Sequence, residues 1–215
     1  HPCTIFVTGA SQAAYQPLLD TAAGILGHTP QLGSYLSSVG TDATDSRSPA
    51  FLIFVEKESM SGHEHQLAVF AHEYYHVYQN AQLLDQPASA EPYTWVMEGA
   101  AKLFETLYVG YRSNTYTYKQ ETVTELLTET KNLYDNESFT FGSSLETHAG
   151  INPPGTSNYN VASVAMAYLA YLSSYNKVLS PDLYALFHQK GFQTGFTEAF
   201  GMSATAFYSS MNAFF

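Results

Sequence analysis

The feature that most constrains this chain is a pair of histidines set one helical turn apart, at residues 72–76, which read His-Glu-Tyr-Tyr-His. The stretch from 65 to 84 contains no Gly or Pro. Its apolar residues recur at intervals of three and four, as a helix with one buried face requires. They are Leu67, Phe70, Ala71, Tyr74, Val77 and Tyr78. We therefore predict a helix here, with these residues on its buried face.

The two histidines of this helix point the same way. Side chains four residues apart lie on one helical face, so His72 and His76 can both reach one Zn²⁺ at about 2.0–2.1 Å. Glu73 lies beside the first of them, where a carboxylate can take a proton from metal-bound water. The H-E-x-x-H pattern thus predicts a zinc site with Glu73 as general base. The alternative is a chance match, with two core histidines satisfied by hydrogen bonds.

A catalytic zinc site has three protein ligands and one open position, so a third ligand is needed. After a break at residues 86–92, the segment from Trp95 onward favours a second helix, and Pro92 suits its start. Glu98 lies on that helix, among apolar neighbours, where it can face the histidines. The alternative for Glu98 is a solvated glutamate on a helix surface.

These residues carry a resemblance to a known family. The His-Glu-Tyr-Tyr-His run, followed by Trp-Val-Met-Glu-Gly-Ala-Ala at 95–101, resembles the gluzincin branch of zinc metallopeptidases, whose third ligand is the Glu of W-x-x-E-G-x-A. The resemblance implies a zinc-dependent peptidase with metal ligands His72, His76 and Glu98 and with Glu73 as base. It runs from about residue 65 to the C-terminus.

Two further segments carry the resemblance. Residues 158–169 are similar to the Y-x-K-G-A-x-x-x-x-x-L segment of zinc aminopeptidases, which implies that Tyr159 stabilises the oxyanion. This chain has Val161 in place of the Lys and Ala162 in place of the Gly. Tyr159 as a core aromatic is the alternative, and His148 is the second candidate for the oxyanion. Residues 192–203 resemble the closing helices of the same superfamily.

Several other polar residues have two interpretations. Glu105, seven residues after Glu98, can hydrogen-bond a ligand histidine or can be a surface glutamate. His63 and His65 can be alternate ligands or solvated loop residues. The aminopeptidase motif Gly-x-Met-Glu-Asn, which binds the substrate amine, does not occur, and Glu56 and Glu58 lack a matching context. We therefore favour an endopeptidase.

The elements outside the metal motif predict the fold. Residues 4–8 and 50–55 are β-rich runs, 12–26 favours a helix, and most of the chain beyond 60 has helical periodicity or loop composition. The predicted fold class is α+β, and the resemblance implies a mainly helical zincin-like domain with a small N-terminal β-sheet lining the cleft. We expect one domain over 1–215, with a β-containing lobe at 1–60 and a helical lobe at 61–215.

The composition limits which classes of molecule this protein is expected to bind. The 215 residues include 19 acidic and 8 basic ones, for a formal charge of −11, which opposes binding to nucleic acid. No apolar run is long enough for a membrane span. Cys3 is the single cysteine, so a metal site must use His and carboxylates.

Two further expectations concern function and location. We expect a peptide or protein substrate; the alternatives are an inactive zincin-like binding or scaffold protein, or a zinc hydrolase of a non-peptide amide or ester. The chain begins at His1 without a leader pattern, as a processed or trimmed form would, and its surface is poor in Lys. We expect a secreted or periplasmic protein. The sequence leaves the oligomeric state open.

Overall fold

The computed structural model describes nine stretches of the chain, at residues 4–9, 12–26, 40–41, 51–56, 64–81, 94–112, 116–136, 140–146 and 157–215. Contacts within the chain divide it into two compact units, His1–Asp85 and Gln86–Phe215. The division falls after the histidine-bearing helix, which therefore belongs with the N-terminal elements. The expected single domain with lobes at 1–60 and 61–215 stays a prediction.

The first unit combines short strands with two helices. Its elements are β1 (Thr4–Gly9), α1 (Gln12–Leu26), β2 (Gly40–Thr41), β3 (Phe51–Glu56) and α2 (Glu64–Ala81). Strand β3 lies between the other two, parallel to β1 and antiparallel to β2. Helix α1 packs against β1 and β3, and α2 contacts β3. The helix predicted around the histidines is confirmed.

The described residues of the second unit are helical or connect helices. The helices are α3 (Thr94–Arg112), α4 (Tyr116–Asn136), α5 (Ser143–Glu146), α6 (Ser157–Leu172), α7 (Tyr175–Val178), α8 (Pro181–Lys190), α9 (Phe192–Phe200) and α10 (Ala204–Phe214). Helix α6 packs most extensively against α3 and also against α4. The sequence predicts that α8 begins at Ser180 and Pro181 and that α10 begins at Ser203, since serine is a favourable cap and proline suits the first helical position. Both starts are confirmed, because Ser180 accepts a hydrogen bond from the N–H of Asp182 and Ser203 accepts one from the N–H of Ala206.

An aromatic cluster fixes the start of α3. The Trp95 side chain is fully buried, and its indole stacks on the Phe207 ring with centroids 6.0 Å apart and an angle of 9° between the ring planes. The rings of Phe192 and Tyr208 meet the same indole edge-on, at 6.3 and 6.0 Å. Helix α3 is therefore anchored to α9 and α10 by ring contacts, each with a favourable edge or stacked geometry.

Helix α3 approaches α6 more closely than side chains would allow. A Cβ atom built on Gly99 would lie 2.4 Å from the Ala162 carbonyl oxygen and 2.8 Å from Cγ of Met166. The backbone oxygen cannot move aside as a flexible side chain can. The glycine that follows Glu98 therefore permits the contact that sets the height and rotation of α3 on α6.

The segment before α6 is tied to the last helix. The Asn212 amide oxygen accepts a hydrogen bond from the Phe141 N–H at 3.0 Å, and its nitrogen donates to the Phe141 carbonyl at 3.2 Å. The Tyr208 hydroxyl donates to the Glu146 carboxylate at 2.9 Å. The sequence predicts a loop over 134–158, whereas part of that stretch is the short helix α5.

The predicted fold class, α+β with a small sheet lining the cleft, is wrong: the described part of the chain is mainly helical. The strands comprise two runs of six residues and one of two, and the helices reach 21 residues. The core that the structure describes is formed by helices packing on helices.

The helices that the structure describes are not of the kind that spans a membrane. None of them combines the length and the apolarity that crossing a bilayer would need. This agrees with the expectation from composition.

We predict that Gly99→Ala destabilises the protein by about 1–3 kcal/mol, because the added methyl group overpacks the α3–α6 contact. Alanine favours a helix over glycine by about 1 kcal/mol, so the overpacking must outweigh that gain. Gly24→Ala is the matched control, since no described residue lies within 4 Å of the position that a Cβ atom on Gly24 would take in α1. Urea unfolding measures both. A Gly99→Ala variant as stable as wild type would contradict the close approach.

Candidate metal centre

The two motif histidines present their Nε2 atoms to one another on α2. The Nε2 atoms of His72 and His76 are 3.1 Å apart, and the rings meet edge to face with centroids 4.7 Å apart. Two nitrogens that share one tetrahedral Zn²⁺ at about 2.0–2.1 Å lie roughly 3.3 Å from each other. The spacing therefore fits a shared metal ion. His76 is buried and His72 is half-buried, as a site at the edge of a core requires.

The other ring nitrogen of His76 is held by a residue that the motif does not include. Its Nδ1 lies 2.7 Å from Oε1 of Gln79, and the Gln79 side chain is fully buried. Sequence reasoning missed Gln79. Its spacing could have found it, because positions 72, 76 and 79 follow the i, i+4, i+7 repeat of one helical face.

The buried face of α2 differs from the predicted one. Tyr74, expected in the core, is 44% exposed, whereas Ala68, Tyr75 and Gln79 are buried. The prediction counted only apolar side chains. The buried face of α2 includes the polar residues His76 and Gln79, so a prediction from apolar residues alone rotates the expected face away from the actual one. Glu73, which follows His72 in the chain, is half-buried.

Glu98 lies in the second unit, in the second turn of α3. Its neighbours Trp95, Val96 and Gly99 are buried, and Glu98 itself is half-buried, as its apolar context predicts. Its helix is fixed on one side by the aromatic cluster and on another by the close approach of Gly99 to α6. The structure thus brings His72 and His76 together within the first unit. The convergence of Glu98 on them stays a prediction.

Glu105 is a buried carboxylate rather than a surface one. Glu105 is 3% exposed, and Nζ of Lys102 lies 2.5 Å from its Oε1. Burial of a charge requires compensation of this kind, since desolvation is costly. The surface interpretation of Glu105 is therefore wrong. The predicted hydrogen bond from Glu105 to a ligand histidine stays a prediction.

The remaining candidates fall outside what the structure describes. His148, His63 and Glu58 lie outside the described residues. Tyr159 is in α6, His65 in α2 and Glu56 in β3, but their side chains are also outside the described part. The assignment of the oxyanion donor to Tyr159 or His148 therefore stays a prediction.

Comparisons with known proteins give no information on this site. No protein-family model matches the chain, and neither a curated protein nor a solved structure shows significant similarity to it.

Proposed function

We propose that this protein is a zinc-dependent peptidase whose metal is held by His72, His76 and Glu98. The observation that carries the proposal is the 3.1 Å separation of the two Nε2 atoms on a single helical face. A hydrogen bond between the two rings would also fit this distance, and the support for a metal is that both rings direct Nε2, one turn apart, toward the same point. That arrangement supports a shared cation.

The donor set suits zinc. Two imidazoles and one carboxylate form a common ligand set of hydrolytic zinc sites, with a fourth position open to water or substrate. The resemblance implies this set, with His72 and His76 supplying the imidazoles from α2 and Glu98 supplying the carboxylate from α3. Calcium and magnesium prefer sites made of oxygen ligands alone, so the imidazoles favour zinc over these cations.

Glu73 is the residue that moves the proton. Zinc, when bound, polarises the scissile carbonyl and makes water acidic enough to be deprotonated near neutral pH. The Glu73 carboxylate accepts that proton and passes it to the nitrogen of the leaving amine. Tyr159 is the proposed hydrogen-bond donor to the oxyanion, with His148 as the alternative.

The proposed substrate is a peptide or protein cleaved internally. The support is the sequence, which lacks the Gly-x-Met-Glu-Asn run that binds the free amine in the aminopeptidases it resembles. The chain's charge of −11 does not favour an acidic substrate. A secreted or periplasmic location is part of the same proposal.

We predict that Glu73→Gln keeps zinc and loses about 10²–10⁴-fold in kcat, because the general base is removed and no ligand is. The measurement combines metal content with cleavage of a pooled library of unstructured peptides, blocked at both termini or free, and mass-spectrometric readout. Cleavage of doubly blocked peptides identifies endopeptidase action.

Each outcome of the Glu73 experiment has a distinct meaning. Full activity in the zinc-loaded variant shows that the assigned base is wrong. A wild-type protein that binds zinc but cleaves no peptide contradicts the peptidase. In that case an ester and amide panel, run with and without chelator, separates a hydrolase of other substrates from a binding protein.

We predict that Glu98→Gln weakens zinc binding by more than about 100-fold, since even the partners of ligands contribute about 10–100-fold. The amide is a neutral and poorer ligand than the carboxylate. Glu125→Gln is the matched control, because Glu125 is an exposed glutamate of α4 and should leave zinc affinity unchanged. Competition with a chromogenic chelator measures both. Equal affinities of the two variants would remove Glu98 from the ligand set.

A further inference from the structure

We propose that Gln79 is a positioning residue of the metal centre, which holds His76 in the tautomer that offers Nε2 to the metal. The inference rests on the proposed function and deepens it. The evidence is a side-chain contact within one helix, between Oε1 of Gln79 and Nδ1 of His76 at 2.7 Å.

The direction of this hydrogen bond follows from the chemistry of its two atoms. The amide oxygen of Gln79 can only accept, so Nδ1 of His76 must carry the proton and donate it. A neutral imidazole has one protonated nitrogen, which leaves a lone pair on Nε2. Gln79 therefore selects the ring nitrogen of His76 that can bind a metal.

The selected nitrogen is the one that faces the second histidine. Nε2 of His76 is the atom that lies 3.1 Å from Nε2 of His72. The opposite tautomer would place a proton on Nε2, between the two nitrogens, and would block a shared cation. Gln79 and His72 thus contact opposite edges of the His76 ring. Gln79 holds the proton on Nδ1, and His72 faces Nε2, the nitrogen that binds the metal.

Burial makes the contact rigid. Gln79 is fully buried and His76 is 8% exposed, so water does not compete effectively for the hydrogen bond. A buried amide is costly unless it is hydrogen-bonded, which favours keeping Gln79 in one rotamer. Metal-binding histidines commonly donate their second N–H to a carboxylate or a carbonyl oxygen, and a buried side-chain amide supplies the same acceptor.

The test compares two substitutions at this position. Gln79→Met keeps the length of an unbranched side chain and removes the acceptor, whereas Gln79→Glu keeps an oxygen that accepts from Nδ1–H in either protonation state. We expect the Met variant to bind zinc about 10–100-fold more weakly than wild type. We expect the Glu variant to bind zinc with an affinity within about a few-fold of wild type, because it keeps the hydrogen-bond acceptor for His76.

A spectroscopic readout separates positioning from stability. Long-range ¹H–¹⁵N spectra of the metal-free protein should show His76 as the Nδ1–H tautomer in wild type and in Gln79→Glu. The Nε2–H form should appear in Gln79→Met. A role confined to packing would change thermal stability but not the tautomer. If the Met variant fails to fold, the tautomer of His76 in wild type and in Gln79→Glu still tests the role of Gln79.

The outcomes distinguish this inference from the proposed function. Wild type that binds zinc with His76 protonated at Nε2, or a folded Met variant with wild-type zinc affinity, overturns the role of Gln79 and leaves the metal site standing. Wild type that binds no zinc overturns both.

Discussion

The helical repeat that places His72 and His76 on one face of α2 is the constraint on which the rest of the site depends. Residues four apart are stacked one turn above the other, and here the stacking brings the two Nε2 atoms to 3.1 Å. A helix holds this distance without any loop having to order. The spacing of the pair is therefore encoded locally, and the rest of the chain has only to bury the helix and supply a third ligand.

The second helix of the proposed site is positioned by packing rather than by local sequence rules. Gly99 lets α3 approach the α6 backbone, and Trp95 fixes the start of α3 in an aromatic cluster with α9 and α10. Both flank Glu98 within five residues of chain. Trp95 and Gly99 therefore have a structural role in positioning α3, whether or not Glu98 binds a metal. The same two residues contribute to the resemblance to a metal motif.

Much of the helical half was predictable from the sequence because its signals are local. The start of α8 at Ser180 and Pro181 and the start of α10 at Ser203 depend on side-chain caps, and each cap makes the expected hydrogen bond. The fold class was not predictable in the same way. Short β-rich runs indicate strands, but they do not tell how much of the core those strands will supply, which depends on tertiary packing. Gln79 was missed because polar residues on a buried face are invisible to a count of apolar spacing.

The most direct test of the account is anomalous diffraction at the zinc absorption edge from zinc-loaded crystals of the wild-type protein. The account predicts one strong peak at about 2.0–2.2 Å from Nε2 of His72, Nε2 of His76 and a carboxylate oxygen of Glu98. A crystal with no such peak, or with a peak that Glu98 does not reach, would contradict the proposed metal site.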